Sequence, residues 1–144
     1  MNVMDDLAKI QNKNFGKNGV INTSKTPPFV MAYNTFLMNE HYSGQQKMLF
    51  IILEGYAGTD VDCYPSKASV SKKMCISIKT VERLLKQLEE LGAILIINRQ
   101  KESNRKTSNL YILADINLNT GEFIPSSLDI YRPLKEKVMK VQGK

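Results

Sequence analysis

The side chains of this chain best suited to chemistry are its lysines and arginines, and they are unevenly spread. Residues 64–109 hold Lys67, Lys72, Lys73, Lys79, Arg83, Lys86, Arg99, Lys101, Arg105 and Lys106 against Glu82, Glu89, Glu90 and Glu102, an excess of +6 that equals the net charge of all 144 residues. Everything outside this segment sums to zero. Charge that serves only solubility is dispersed, whereas the footprint for a polyanion is concentrated. Ammonium groups can clamp phosphates, and a guanidinium can pair in its own plane with two acceptors on a guanine edge. The partner this chemistry implies is double-stranded DNA.

Catalytic sets are missing from the sequence. His41 is the single histidine; no carboxylate pair has acid/base spacing, and neither a phosphate-binding loop nor a Gly-x-Ser-x-Gly elbow occurs. The expectation is a binding protein, not an enzyme, with His41 as a surface or packing residue. Cys63 and Cys75 are the only cysteines, too few with one histidine for a tetrahedral zinc site. Neither metal nor cofactor is expected. In a reducing cytoplasm both thiols stay free and act as small buried or half-buried hydrophobes. No apolar run approaches the roughly 18 to 20 residues of a membrane span, and the acidic start lacks a signal peptide's apolar stretch. A cytoplasmic protein without membrane contact is expected.

The elements that must position the basic residues can be read from caps and periods. Residues 1–28 are polar, rich in Asn, Lys and Gly, and end in a proline pair, which predicts a flexible arm. Residues 33–39 form a candidate short helix. Ser43 and Gln46 have capping-box spacing, opening a helix with Leu49, Ile52, Leu53 and Tyr56 on one face, stopped at Gly58 and Asp60. Ser66 caps a helix of about two turns that turns Val70 and Met74 inward. Ser77 caps a third, with Ile76 and Val81 as hydrophobic staple, and Gly92 closes it. Two helices joined by so tight a turn make a helix-turn-helix. The run from Ala93 and the stretch from Asn109 to Leu113 are strands flanking a basic tip, and a further strand is expected near Glu122 to Ile124. The aromatics Tyr33, Phe36, Phe50, Tyr56 and Tyr111 are assigned to the core.

Advancing about 100 degrees per residue from Ser77, Ile78, Val81, Leu84, Leu85, Leu88 and Leu91 fall between roughly 320 and 100 degrees, a core stripe. Lys79, Arg83 and Lys86 fall opposite, between roughly 180 and 240 degrees. Lys79, Thr80, Arg83 and Gln87 are the expected base readers, Arg83 as the guanine partner, with Lys79 and Lys86 also serving as phosphate clamps. A bland reading stands beside this: Glu82 with Lys86, or Lys86 with Glu90, could be ordinary i,i+4 pairs on a solvated face. Against it, Lys67, Lys72 and Lys73 on the preceding helix and Arg99, Lys101, Arg105 and Lys106 on the hairpin carry the same sign. Arg105 is the residue chosen for a narrow minor groove.

Ser66, Val70, the run Ser77-Ile-Lys-Thr-Val-Glu-Arg-Leu84, Leu88, Leu91, Gly92 and the Asn109-Leu-Tyr111 strand resemble the winged helix-turn-helix module of phage and plasmid replication initiation proteins and related regulators. The resemblance covers residues 29–114. It implies an α+β, mainly α fold with a three-helix core and a two- or three-stranded wing, the third helix lying in the major groove. Residues 115–144 then form a C-terminal extension. Two positions depart from the pattern. Cys75 stands where relatives have Gly or Asn, so a longer or differently shaped turn is expected, and Ser71 stands where they have Ala, so its hydroxyl must bond to backbone or face water.

The function expected is sequence-specific binding of double-stranded DNA by a protein of a mobile element, plasmid or phage, in replication initiation or transcription regulation. Homodimerisation would raise affinity through symmetric half-sites, with the Tyr33 helix, the arm or the segment after Ala114 as candidate contacts. The alternative is a protein-interaction adaptor, in which the winged helix is a platform for a replication or conjugation protein of the replisome or relaxosome. A third reading is a non-specific architectural binder.

Overall fold

A computed structural model of the protein describes residues 29–98 and 108–135. The arm expected at 1–28 and residues 136–144 lie outside the described residues, and one compact unit begins at Met31.

Serines start all three main helices. A short helix α1 (Asn34–Leu37) is followed by α2 (Gly44–Ala57), where the Gln46 N–H donates to Ser43 Oγ at 3.1 Å and the Ser43 N–H to Gln46 Oε1 at 3.0 Å, the reciprocal capping box. Ser66 caps α3 (Lys67–Met74) through the Ser69 N–H at 3.0 Å, and Ser77 caps α4 (Ile78–Glu90) through the Thr80 N–H at 3.1 Å. Gly92 closes α4 at φ 74°, with Ala93 N–H bonded to Leu88 O and Gly92 N–H to Glu89 O, the paired bonds of a Schellman end. The missing side chain at Gly92 also admits Pro125, whose Cγ would lie 2.5 Å from a Cβ there.

Strand β2 (Ile94–Ile97) pairs antiparallel with β3 (Leu110–Leu113), from Ile94 opposite Leu113 to Ile97 opposite Leu110. A two-residue strand β1 (Asp62–Cys63), between α2 and α3, adds to the other side of β3, giving the order β1-β3-β2. The fold is thus a winged helix-turn-helix with a three-stranded sheet.

Both faces of this sheet are buried, which is why the Ala93–Ile97 run is apolar without alternation. Ile94 and Tyr111 join Leu49, Phe50, Leu53, Val70, Val81, Leu84, Leu85 and Leu88 in the main core. Leu95, Ile97 and Ile112, on the opposite face by the two-residue period of a strand, pack with Ala114 and Leu128. Leu128 belongs to a 3-10 helix, Pro125–Tyr131, which the sequence pattern did not announce. The segment from 115, set apart as an extension, therefore contributes to the same cores up to this helix. Its strands β4 (Asp115–Ile116) and β5 (Phe123–Ile124) form a hairpin, and Phe123 stacks among Phe36, Tyr42 and Phe50 with centroid separations of 4.7 to 5.3 Å.

That hairpin is bonded closely to α1. Thr35 Oγ1 donates to Leu118 O at 3.0 Å, Asn39 Nδ2 to Gly121 O at 3.1 Å, and Phe123 N–H to the Tyr42 hydroxyl at 3.1 Å. Gly121, at φ 72°, lies so close that a Cβ would sit 2.2 Å from Thr35 O. His41, as expected, is a surface residue, with Nδ1 2.9 Å from Glu122 Oε1.

Several core assignments change. Ile78 and Leu91 are 45% and 37% exposed, because they sit at the ends of α4, beyond the width of the layer it packs on. Tyr33 and Tyr56 are exposed as well. On α2 the inward face is Leu49, Phe50, Leu53 and Ala57, with Ile52 only half-buried. Cys63 is buried but Cys75 is exposed, and both are free thiols. Burial, with Asp62 adding to it, pushes the Cys63 thiol up to about 12, so it is unreactive at neutral pH.

Candidate nucleic-acid interface

The alignment of α3 and α4 depends on residues 71–77. Cys75 occupies the left-handed region at φ 58° and ψ 40°. Its N–H bonds Lys72 O at 3.3 Å and the Ile76 N–H bonds Ser71 O at 3.2 Å, so a non-glycine residue takes the usual glycine conformation and the turn is neither lengthened nor reshaped. The expectation of an altered turn is thereby corrected: local hydrogen bonding outweighs a steric penalty of about 1–2 kcal/mol. The Sγ also lies 3.7 Å from Lys72 O. Ser71 resolves the other departure, since its hydroxyl donates to Ile76 O across the turn and ties the two helices together at their junction.

With α4 fixed in this way, Lys79, Arg83 and Lys86 stand exposed on the side away from Val81, Leu84, Leu85 and Leu88. From Lys79 to Lys86 the row rises about 10 Å along the helix axis, close to the rise of three base-pair steps at ~3.4 Å each. Among the described residues none bonds or ion-pairs with these three side chains. Two of the three acids of α4 are engaged elsewhere. Glu82 lies 3.9 Å from Lys67, and Glu89 Oε2 accepts from the Ile96 N–H at 3.2 Å and from Lys135 at 3.1 Å. The i,i+4 pairs that would have neutralised Lys86 do not form, and the basic row is left uncompensated.

The other named residues divide. Lys72 and Lys73 are exposed in the last turn of α3, where a helix's carboxyl end also favours cations. Lys73 Nζ stands 5.8 Å from the centre of the Tyr56 ring, which holds it against α2. Lys67 is half-buried and pairs with Glu82. Thr80 has its hydroxyl 2.8 Å from Ser77 Oγ, within the cap. Gln87 is half-buried, and its Oε1 accepts from Gln46 Nε2 at 3.0 Å, so it links α4 to α2. Gln46 had not been singled out beyond its cap, and no pattern in sequence marks a contact across 41 positions. Arg99, Lys101, Arg105 and Lys106 lie outside the described residues.

Elsewhere the surface has a different character. Glu54, on α2, borders a cleft lined by Phe50, Ala57, Val61, Leu113 and Asp115. Burial pushes its carboxyl up to about 7. Among the described residues, no helix is long and apolar enough to cross a membrane.

None of the curated proteins compared matches the chain. A family model described as a helix-turn-helix domain matches residues 43–94, from the Ser43 cap through α4 to the first residue of β2. The match supports a helix-turn-helix domain at residues 43–94, set in the winged fold described above, and a domain of this kind suggests DNA as its partner.

Proposed function

We propose that this chain binds double-stranded DNA sequence-specifically, with α4 in the major groove, and acts for a mobile element, plasmid or phage, in replication initiation or transcription regulation. The observation that carries the reading is the exposed row Lys79, Arg83 and Lys86, uncompensated although the same helix has three acids. Arg83 reads a base edge, and Lys79, Lys86 and Lys72 hold phosphates. Gln87 and Thr80 serve the structure first. The chemistry is binding without catalysis, in the cytoplasm.

The test is a mobility-shift titration with excess mixed competitor DNA over a range of salt. A specific complex should survive the competitor, and log K should fall against log salt with a slope near −0.9 per phosphate contacted. Failure to bind any duplex at low salt would sink the proposal and favour the adaptor reading. Equal affinity for all sequences would leave an architectural binder.

A further inference from the structure

The first turn of α4 keeps few polar groups with which to read a base. Ser77 Oγ accepts from the Thr80 N–H at 3.1 Å and lies 2.8 Å from Thr80 Oγ1, so both hydroxyls belong to the cap. Gln87, further along, gives its Oε1 to Gln46 and cannot present the paired acceptor and donor that adenine takes. What remains at the start of the helix is Lys79 and, ahead of it, Ile78, which is 45% exposed. Single exposed apolar residues are ordinary on a protein surface. The place of this one is not. Partial burial gives the fold only part of what an enclosed isoleucine contributes, and a β-branched residue brings no gain in helix propensity.

Charge marks which end of α4 meets DNA most closely. The first turn holds Lys79 and no acid, and the leading amides of a helix add to the positive potential there. At the other end Glu90 is exposed, with no ion pair among the described residues. By the helical period it lies in line with Lys79, Arg83 and Lys86, and the carboxyl end of the helix reinforces its sign. Phosphates are drawn to the beginning of α4 and repelled from its end, so the helix enters a groove with its beginning foremost. Side chains of a helix lean toward its N-terminus, and Ile78 therefore projects off that foremost end.

We infer that Ile78 reads the 5-methyl group of thymine in the major groove. Thymine alone presents a methyl there, so an apolar contact distinguishes its pair without any hydrogen bond. Five positions separate Ile78 from Arg83, a rise of about 7.5 Å, or about two base-pair steps of ~3.4 Å. The bound site then carries a thymine about two base pairs from the guanine that Arg83 takes. This rests on the proposed placement of α4 in the major groove. It adds to Arg83 a second specificity-determining residue, whose contact releases no counterions and so adds nothing to the salt slope.

Duplexes selected by the full chain from a random pool supply the probe. Each thymine of the selected duplex is replaced in turn by deoxyuridine, which removes the methyl and leaves the base pair intact. At one position, about two base pairs from the guanine whose change Arg83→Ala tolerates, the replacement should weaken binding about fourfold, the contribution of one methyl group withdrawn from water. Ile78→Ala should bind the thymine and deoxyuridine duplexes alike, and Ile78→Val should keep most of the difference. A ratio of two affinities measured on one protein does not move if Ile78 merely supports the helix. Equal affinity of the unaltered chain for both duplexes at every thymine would overturn the inference, as would an Ile78→Ala protein that keeps the full ratio. Both results come from bound complexes and leave the DNA reading standing, whereas a chain that selects no duplex from the pool overturns that reading and this inference together.

Discussion

Around α1 and the β4–β5 hairpin, the side chains of Thr35, Asn39, His41 and Tyr42 are each answered by an atom of the hairpin, and Phe36 is wholly enclosed. Along the outer side of α4, Lys79, Arg83 and Lys86 have no such partners among the described residues. One region spends its polar groups on the fold and the other keeps them for something outside it. A buried polar group without a partner is destabilising by about 1–3 kcal/mol, so the clamp has to be satisfied internally. Exposed cations are solvated and carry no such penalty, which leaves α4 free to be shaped by its ligand.

The division can be broken by substitution. The largest effect is expected from Phe36→Ala, which removes a ring in contact with Tyr42, Phe50 and Phe123; chemical denaturation should show a loss of about 3–5 kcal/mol, with the salt slope of DNA binding unchanged for the folded fraction. Arg83→Ala should do the reverse. Specific binding weakens by roughly 1–3 kcal/mol and tolerates a changed base, while stability moves by less than about 0.5 kcal/mol; an Arg83→Ala protein that melts early would show that α4 is spent on the fold after all.

A third change sharpens the contrast through pH. Since burial raises the Glu54 carboxyl from 4.5 to about 7, the unfolded chain releases this proton first, and stability falls as pH rises from 4.5 towards 7 and is flat above. Allowing for solvent screening of a half-exposed group, the fall is roughly 1–2 kcal/mol. Thermal melts of Glu54→Gln should lack it, whereas DNA affinity at fixed pH should not change. The smallest effect belongs to Cys75→Gly, which relieves left-handed strain but loosens the unfolded chain, for a net gain of about 0.5 kcal/mol. Denaturant midpoints would register it.

What the sequence disclosed was mostly local. Ser43, Ser66 and Ser77 bond amides three positions on, so their caps are legible in spacing alone, and Gly92 and the Leu84–Leu88 stripe follow from the same short-range geometry. The basic row was legible because charge and helical period suffice to place it. What escaped depends on chain segments far apart. Asp62 and Cys63 are strand only because β3 offers them an edge, the 3-10 helix has no period of its own, and Gln87 is held by a residue on another helix. Ile78 and Leu91 satisfy the period but reach past the layer beneath them. The Cys75 turn could not be decided from residue type, since a steric preference there competes with hydrogen bonds whose presence depends on the fold.

The bond between Thr35 and Leu118 joins residues 83 positions apart, and this bears on the order of events as the chain is made. The contacts of α3 with α4 are local and can form early, whereas the ring cluster needs a long loop to close. Until Phe123 has left the ribosome, Phe36, Tyr42 and Phe50 lack the one ring that contacts all three. A nascent chain arrested short of that residue therefore presents an aromatic surface to chaperones and proteases even when its helix-turn-helix is already in place. The last strand among the described residues thus acts as a checkpoint on the ring cluster it completes.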